Sequence, residues 1–420
     1  MKKKLNCYEI LPCKELKGEI KNQTSKNATL PIMSASLLCD DIVKIRKCPQ
    51  ITDFKNMLAI LKKIGVKVRI EEETLILNTK YANNTEIDCE LSKTMRSSIF
   101  LLGSMLSRFK SVMLTMPGGC KIGNRPIDIH ISAFKKLGVK VSFVNDKVLF
   151  NAKKAKANKI KLKLPSVGAT ENIIQFAAKL KGKTTIINAA KEPEVVDLCN
   201  FLNLMGAKIL GAGTSKITIY GVDSLNGVTY TPMGDRIVSG TIMTAVAIVG
   251  GDVTITNTCP YQNLKIIEIL RSMGCQIDYK NDIIHIVKNQ KLNFEGKIVT
   301  GYYPGFATDL QSLILTLCCF IQGKATVNEK VFENRFLIVP ELRKMGAKIN
   351  CIDERIVQVE GTSLNGAEVI AKDLRGGASL VLAGLGASSK TIVKNIEFID
   401  RGYENLEIML NSLGAKIRRI

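Results

Sequence analysis

The stretch "LKKIGVKV" (residues 61–68) is the first of six similar stretches, and these decide the architecture of the chain. The others are "FKKLGVKV" from Phe134, "LNLMGAKI" from Leu202, "LRSMGCQI" from Leu270, "LRKMGAKI" from Leu342 and "LNSLGAKI" from Leu410. Their glycines follow one another at intervals of 73, 68, 68, 72 and 68 residues. Such a constant spacing indicates a repeat architecture. Six units of about 70 residues fill the 420-residue chain.

Each version of the motif predicts the end of a surface helix. Apolar residues at helical spacing lead to a glycine, which readily adopts the left-handed conformation that closes a helix. A small or β-branched residue follows and begins a strand. In most units a second strand comes after a turn, predicted at Asn145 and Asp146 in "VSFVNDKVLF" (residues 141–150).

A second kind of helix is predicted between the motifs. It is apolar nearly all round and rich in Ala, Gly and Ser, which is typical of a buried helix. The six segments are residues 25–38, 95–106, 170–180, 236–249, 308–321 and 375–387. Short β-rich runs precede the surface helices, so each unit reads βαβαββ and the fold class is α/β. Six buried helices favour two clusters of three.

Polar residues occupy the first turns of these buried helices. They are Lys26, Asn27, Arg96, Asp235, Arg236, Asp309 and Arg375. Helix N-termini favour anions through their free N–H groups and the helix dipole. If these termini face each other across a gap between two domains, that gap is an anion site.

Composition excludes several classes of function. The net charge is +22, but the lysines are spread along the chain without interleaved aromatic residues, so no nucleic-acid partner is predicted. Twelve cysteines without a C-x-x-C motif and only two histidines predict no metal site. Free thiols indicate a reducing compartment. No apolar stretch reaches the roughly 18 residues of a membrane span, so we expect a cytoplasmic protein.

Several motifs in order carry a resemblance to a known family. They include "SKNATLPI" from Ser25, "PGGCKIGNRPIDIH" from Pro117, "PSVGATEN" from Pro165, "GFATDLQS" from Gly305, "DLRGGASLVLAGL" from Asp373 and "DRGYE" from Asp400. The chain resembles the enolpyruvyl transferases, and among them the UDP-N-acetylglucosamine 1-carboxyvinyltransferases, from end to end. The resemblance implies a two-domain inside-out α/β barrel, with one domain formed by residues 1–21 and 234–420 and the other by residues 22–233.

The resemblance also implies a reaction. Enolpyruvate passes from phosphoenolpyruvate to the 3′-hydroxyl of UDP-N-acetylglucosamine (UDP-GlcNAc), and phosphate is released. This is the first committed step of peptidoglycan synthesis, and it serves cell-wall growth, cell shape and cell division. The family uses neither a metal nor another cofactor. The expected partners are these two substrates, and the expected state is a monomer or a weak homo-oligomer.

Two residues receive the central chemical roles by this resemblance. Cys120 would be the general acid on a mobile lid loop, would form an adduct with phosphoenolpyruvate, and would be the target of the antibiotic fosfomycin. From its position alone, Cys120 could equally be an incidental surface thiol among twelve. Asp309 would be the base that accepts the hydroxyl proton, although it could also simply cap its helix.

The remaining site residues bind the two anionic substrates. Lys26, Arg125 and Arg401 match the cations that hold phosphoenolpyruvate, since arginine pairs with carboxylate and phosphate through two parallel hydrogen bonds. Arg96 and Arg375 match further anion contacts. The UDP-GlcNAc side comprises Asn27, Arg125, Pro126, Ile127, Asp128, Ile129, Ser166, Val167, Gly168 and Val331. The neighbouring His130 is interpreted as a structural histidine.

Two alternatives stay open at this stage. The sister enzyme that makes enolpyruvylshikimate phosphate shares the fold and phosphoenolpyruvate, but its family lacks the cysteine loop. A non-catalytic paralogue could bind a nucleotide sugar or another anion. Departures from the family pattern at Gly234, Ala307 and Ile338 also leave room for a divergent second copy of the enzyme.

Overall fold

The chain folds into two compact units, each with its own core. The structure, a computed structural model, describes residues 5–87, 96–115, 127–145 and 147–420, with only the main chain described for Arg96 and Ser97. Within this part, the first unit comprises residues 5–23 and Gly234–Ile420, and the second comprises the residues from 24 to 233. Cys120, Arg125, Pro126 and Asp146 of the predicted turn lie outside the described residues.

The six motif glycines end six surface helices, as predicted. Each has a positive φ, between 80° at Gly138 and 114° at Gly274. In the first version, the N–H of Val66 donates to the carbonyl of Leu61 at 3.0 Å, and the equivalent bond is present in the other five. These bonds satisfy carbonyls that the helix end leaves open. The predicted helix stop is therefore confirmed in all six units.

The outer helices are those that end at these glycines. They are Thr52–Ile64, Asp128–Lys136, Pro193–Leu204, Leu264–Met273, Val339–Lys344 and Leu406–Asn411. The inner helices are the buried ones: Lys26–Ala35, Leu101–Phe109, Val167–Ala177, Arg236–Val249, Gln311–Cys318 and Leu374–Gly386. Turns of 3-10 helix lie at Ser36–Leu38, Arg96–Phe100, Pro260–Gln262, Thr308–Leu310 and Ile396–Arg401. Two inner helices thus begin with a 3-10 turn where one continuous helix was predicted, as helix starts often do.

The described strands form three four-stranded sheets in each unit, all with one topology. In sheet order, those of the first unit are Glu368–Ile370, Thr391–Lys394, Cys7–Ile10 and Ile417–Arg419; Leu16–Lys21, Gly251–Thr256, Ile283–Lys288 and Gln276–Lys280; and Gly296–Val299, Lys324–Asn328, Ile356–Glu360 and Lys348–Cys351. Those of the second are Thr229–Tyr230, Ile42–Arg46, Thr74–Asn78 and Lys67–Glu71; Glu86–Ile87, Ser111–Thr115, Lys147–Asn151 and Lys140–Val144; and Lys159–Lys161, Lys183–Ile187, Lys216–Tyr220 and Lys208–Leu210.

In every sheet the first two strands run parallel, and the other two add in antiparallel fashion. A parallel pair needs a crossover, and the inner helix supplies it in the repeats whose strands are continuous in sequence. The βαβαββ reading of the α/β fold is therefore confirmed. None of the described helices is long and apolar enough to cross a membrane.

The ends of the chain complete repeats that begin or finish far away in sequence. The strand Leu16–Lys21 pairs in parallel with Gly251–Thr256 in the first unit, and Cys7–Ile10 lies between Thr391–Lys394 and Ile417–Arg419. In the second unit, Thr229–Tyr230 closes the sheet that begins at Ile42. Each unit is thereby tied together at the points where the chain enters or leaves it.

Candidate active site

Asp309 contacts two arginines, Arg335 and Arg375, in the first unit. It sits in the 3-10 turn before the inner helix Gln311–Cys318. Arg335 Nη2 is 2.5 Å from one carboxylate oxygen, and Arg375 Nη2 is 3.6 Å from the other. The side chain of Asp309 is 30% exposed, whereas those of Arg335 and Arg375 are only 4% and 3% exposed. A partly exposed carboxylate therefore contacts two buried cations.

Asp309 is not a helix cap in this structure. Neither its 3-10 turn nor the following helix has a side-chain cap at its N-terminus. The adjacent Thr308 hydroxyl instead donates to Glu329 Oε2 at 2.8 Å. Glu329 Oε1 also accepts from the backbone N–H groups of Val331 (2.7 Å) and Phe332 (3.0 Å). This fully buried carboxylate joins the Asp309 turn to the loop that carries Val331.

Arg375 lies in the first turn of the inner helix Leu374–Gly386. It is a buried cation, and two of its nitrogen donors are unused among the described residues. The Asp373 carboxylate caps this helix by accepting from the N–H groups of Arg375 and Gly376 at 3.0 and 2.9 Å. Burial acts to lower the pKa of Arg375, but the neighbouring Tyr403, Asp309 and Asp235 raise it above its ordinary value. Its Nε and Nη1 find no hydrogen-bond partner among the described residues. A charged, buried group with open donors is suited to an anionic ligand.

Arg401 ends the 3-10 helix Ile396–Arg401, in the same unit as Asp309. It is half-buried. The next residues of "DRGYE" are tied to the core, because the Tyr403 hydroxyl lies 2.8 Å from Thr241 Oγ1. The ring of Tyr403 lies 5.2 Å from the Arg375 guanidinium. The predicted residues Asp309, Val331, Arg375 and Arg401 thus all belong to the first unit.

Lys26 is a buried cation in the second unit. It begins the inner helix Lys26–Ala35, whose N-cap Ser25 accepts from the N–H of Ala28 at 3.3 Å. Lys26 Nζ lies 2.8 Å from Asp53 Oδ2, with side-chain exposures of 10% and 1%. Asp53 comes from the first turn of the outer helix Thr52–Ile64. Asn27 is half-buried beside Lys26.

The predicted backbone donors lie at the start of another inner helix of the second unit. Ser166 caps Val167–Ala177 through its hydroxyl, which accepts from Ala169 N–H at 3.3 Å. Ser166, Val167 and Gly168 are half-buried. A Cβ on Gly168 would lie 3.3 Å from the His130 ring, so a larger residue here would need the ring to shift by a few tenths of an ångström. The Ser166 hydroxyl accepts from one N–H group of the first turn. The other first-turn N–H groups are suited to binding an anion.

The segment after the cysteine loop begins an outer helix. Ile127 is buried, Ile129 is half-buried, and Asp128 is exposed at the helix start. His130 is 6% exposed, and its Nδ1 lies 3.2 Å from the Asn172 side-chain nitrogen, as expected of a structural histidine. The other predicted residues of this region, Cys120, Arg125, Pro126 and the side chain of Arg96, lie outside the described residues.

The second unit also buries carboxylates that sequence reasoning missed. Glu171 on Val167–Ala177 is fully buried, and neither carboxylate oxygen has a hydrogen-bond partner among the described groups. Burial, and then the nearby Glu194 and Glu192, raise its pKa well above the ordinary value. Burial raises the pKa of Asp197 to about 6, although Tyr230 and the N–H of Met233 donate to it.

In the described part of the chain, no three His, Cys, Asp or Glu residues are grouped to hold a metal ion.

Arg335 and Glu329 are the most important residues missed in the first unit. Arg335 belongs to "FENRF" (residues 332–336), a motif that carries the family resemblance, but no role follows from its letters. Its contact with Asp309 joins residues 26 positions apart. Asp53 in the second unit was missed for the same reason, because an ion pair between two helices leaves no pattern in the sequence.

Comparison with known proteins gives the class. The sequence profile described as EPSP synthase (3-phosphoshikimate 1-carboxyvinyltransferase) matches residues 10–410. The chain therefore belongs to this family of enolpyruvyl transferases. The fold agrees with the crystal structure of the enolpyruvyl transferase NikO from Streptomyces tendae, with a TM-score of 0.88, 24% identity and 98% of each chain covered. The 2.37 Å structure of EPSP synthase from Acinetobacter baumannii covers 98% of this chain at 18% identity with a TM-score of 0.75, and 100% of that chain is matched.

Among the enolpyruvyl transferases, the chain is most informatively compared with relatives that share more than 40% of its sequence. UDP-N-acetylglucosamine 1-carboxyvinyltransferase 2 of Caldanaerobacter subterraneus subsp. tengcongensis is 44% identical, over 98% of this chain and 99% of that protein. The UDP-N-acetylglucosamine 1-carboxyvinyltransferase of Halothermothrix orenii is also 44% identical, over 96% and 97%. That of Campylobacter fetus subsp. fetus is 41% identical, over 99% and 100%. The resemblance stated from the motifs is thereby confirmed.

Proposed function

We propose that the protein transfers enolpyruvate from phosphoenolpyruvate to the 3′-hydroxyl of UDP-GlcNAc and releases phosphate, as the first committed step of peptidoglycan synthesis. The names of its relatives and the nearly complete overlap with them support this reaction. The structural observation that carries it is the partly exposed Asp309 carboxylate, which contacts the buried Arg335 and Arg375. Two anionic substrates need cations, and the attacking hydroxyl needs an acceptor for its proton.

Asp309 takes the role of the base. The 3′-oxygen bonds to C2 of phosphoenolpyruvate while its proton passes to a carboxylate oxygen and C3 gains a proton. Loss of phosphate, with loss of a proton from C3, then restores the double bond. The two arginines orient Asp309 through contacts at 2.5 and 3.6 Å. Arg375 also has free donors for a substrate anion.

The cations Lys26, Arg125 and Arg401 would bind phosphoenolpyruvate, with Arg96 and Arg375 as further anion contacts. The helix start at Ser166, Val167 and Gly168 would offer N–H groups to the diphosphate. The remaining UDP-GlcNAc contacts would be Asn27, Arg125, Pro126, Ile127, Asp128, Ile129 and Val331. Asp53 supports the assignment of Lys26, since a partner 2.8 Å away holds the buried amine in place.

The test of the base is Asp309→Asn, which keeps the shape of the side chain. We expect turnover to fall about a hundredfold or more, because an amide cannot accept the hydroxyl proton. UDP-GlcNAc binding, measured by calorimetry, should persist. Turnover equal to that of the wild type would show that the carboxylate is only structural.

Cys120 is proposed as the general acid and as the site of fosfomycin attack. We expect Cys120→Ala to lose phosphate release near neutral pH. The intact protein should gain the mass of one fosfomycin molecule, and peptide mapping should place it on Cys120. A Cys120→Ala enzyme that turns over at the full rate would reject the acid role.

We further propose that the protein works in the cytoplasm, as a monomer or a weak homo-oligomer, and supports cell-wall growth and division. All ten described cysteines have free thiols, which suits a reducing compartment. The competing acceptor is shikimate 3-phosphate, the substrate in the name of the matching family profile. The relatives at 40–44% identity favour UDP-GlcNAc over it and over a paralogue without activity.

A further inference from the structure

The segment "DRGYE" (residues 400–404) is held by a network that the sequence did not suggest. Asp400 directly precedes Arg401 and accepts two parallel hydrogen bonds from Arg419. The Nη1–Oδ2 distance is 2.8 Å and the Nη2–Oδ1 distance is 2.6 Å. Arg419 is the penultimate residue of the chain, on the strand Ile417–Arg419. Such a two-point contact fixes orientation as well as distance.

Arg419 also ties Asp400 to two further parts of the first unit. Its Nε donates to Glu407 Oε1 at 2.6 Å, and its Nη2 donates to the Tyr8 hydroxyl at 2.9 Å. The Tyr8 hydroxyl in turn donates to Glu407 Oε2 at 2.7 Å. Burial, and then the bond to Glu407, raise the pKa of Tyr8, so its phenol keeps the proton that it donates. One guanidinium thus joins the N-terminal strand, the last outer helix and the turn before Arg401.

The residues after Arg401 are held from another side. Gln23 Nε2 donates to the carbonyl of Gly402 at 3.0 Å, and Gln23 Oε1 accepts from the N–H of Glu404 at 2.9 Å. The backbone on both sides of Arg401 is therefore fixed by side chains from distant parts of the sequence. The Arg419 network fixes the side before Arg401, and Gln23 fixes the side after it.

We propose that Arg419 is a positioning residue for phosphoenolpyruvate binding. Its two hydrogen bonds to Asp400 fix the conformation of the backbone from which the Arg401 side chain reaches the substrate. This inference rests on the proposed function, in which Arg401 binds phosphoenolpyruvate. In this proposal Arg419 acts on Arg401 only through Asp400. Its loss should therefore weaken phosphoenolpyruvate binding more than UDP-GlcNAc binding.

The chain offers a matched control one residue away. Arg418 lies on the same strand, but its side chain is 72% exposed and pairs with Glu9 at 2.7 Å. In Arg419→Gln we expect the KM for phosphoenolpyruvate to rise about tenfold or more, since small misplacements of a binding group are costly. The KM for UDP-GlcNAc should change less than about twofold. Arg418→Gln should leave both constants unchanged, and Arg419→Lys should restore part of the loss.

A second variant keeps the test decisive if Arg419→Gln folds poorly. Asp400→Asn retains the size of the side chain but removes the charge that faces Arg419, and it should show the same selective rise. Equal rises in both KM values, or unchanged values in folded Arg419→Gln, would overturn the positioning role.

Arg401→Gln, assayed in parallel, separates the inference from the function on which it rests. An unchanged KM for phosphoenolpyruvate in Arg401→Gln would reject the role of Arg401 itself. A large rise in Arg401→Gln combined with none in Arg419→Gln would reject only the positioning role.

Discussion

The two units repeat one architecture, but each contains a cluster of buried charged residues that the other lacks among the described residues. In the first unit, the buried Arg335 and Arg375 both contact the carboxylate of Asp309. In the second unit, Glu171 is buried near Glu192 and Glu194 and has no hydrogen-bond partner among the described residues. The first cluster therefore attracts anions, whereas the second favours a proton on a carboxylate.

The difference shows where the chemistry of a repeat fold is located. All six repeats share the glycine helix stop, and all six sheets share one strand order. The charged residues lie outside those shared features, mainly in the first turns of inner helices and in the loops beside them. The repeats supply a rigid frame, and changes at a few helix starts supply the function.

The largest effect is expected from removing the buried cation of the first unit. Arg375→Gln removes a charge beside Asp309 and the two open donors of Arg375. We expect kcat/KM for phosphoenolpyruvate to fall about a hundred- to a thousandfold, as on loss of a preorganised donor. Steady-state kinetics measure this, and calorimetry with UDP-GlcNAc confirms that the variant is folded. A change below tenfold would place the anion site elsewhere.

A smaller loss of activity is expected on substitution of Arg335, the other arginine that contacts Asp309. Arg335→Gln removes the contact of Arg335 with Asp309 and leaves that of Arg375 in place, so we expect kcat to fall about ten- to a hundredfold. Arg343→Gln is the matched control, because Arg343 in the same unit donates to the carbonyl of Ile349. If both variants lose activity equally, the effect comes from stability and not from Asp309.

The buried carboxylate of the second unit should affect stability and its pH dependence. The folded protein raises the pKa of Glu171, so the folded state keeps a proton that the unfolded chain releases as the pH rises. The stability that Glu171 contributes is present below its unfolded pKa and is lost at higher pH. Relative to Glu171→Gln, the wild type should lose unfolding free energy as the pH rises from 4.5 to 8.

Denaturant titrations at several pH values measure this difference. Glu268→Gln is the control, because Glu268 is an exposed residue of the first unit, at 57% exposure, and should show no such divergence. Parallel pH profiles of wild type and Glu171→Gln would mean that Glu171 is solvated or paired in solution, and the contrast between the interiors would disappear.

The smallest effect, on unfolding free energy, is expected at the glycine helix stops that the two units share. Gly206 and Gly346 have φ values of 106° and 94°, and an added Cβ would meet nothing within 4 Å at Gly206 and only Asn365 at 3.9 Å at Gly346. Alanine at either position should therefore cost about 1 kcal/mol of unfolding free energy, the penalty of a left-handed backbone. Thermal unfolding should show similar losses, and a loss at only one glycine would mean that the two helix stops are not equivalent.

The repeated elements were predictable because their signals are local. A glycine after an amphipathic stretch requires a helix stop, and an apolar segment such as residues 236–249 requires burial; the structure has an inner helix at Arg236–Val249. The family resemblance implied that residues 1–21 join residues 234–420. The pairing of Leu16–Lys21 with Gly251–Thr256 was not predictable, since the spacing of a motif does not show which distant strand pairs with it.

The site was predictable only in part. Motifs identified Asp309 and Arg375 as candidates, but their pairing with each other and with Arg335 depends on tertiary contacts. The alternative that Asp309 only caps its helix is not supported, because Thr308 donates to Glu329 and the Asp309 carboxylate contacts arginine. Glu171 departs from the rule that buried polar groups are hydrogen-bonded, since its carboxyl oxygens find no partner among the described residues, and a sequence pattern does not reveal such an exception.

The most direct test of the account is phosphate release by the wild-type protein with phosphoenolpyruvate and each of two acceptors. We predict steady release with UDP-GlcNAc and none with shikimate 3-phosphate. Release with shikimate 3-phosphate alone, or with neither acceptor, would contradict the proposed function.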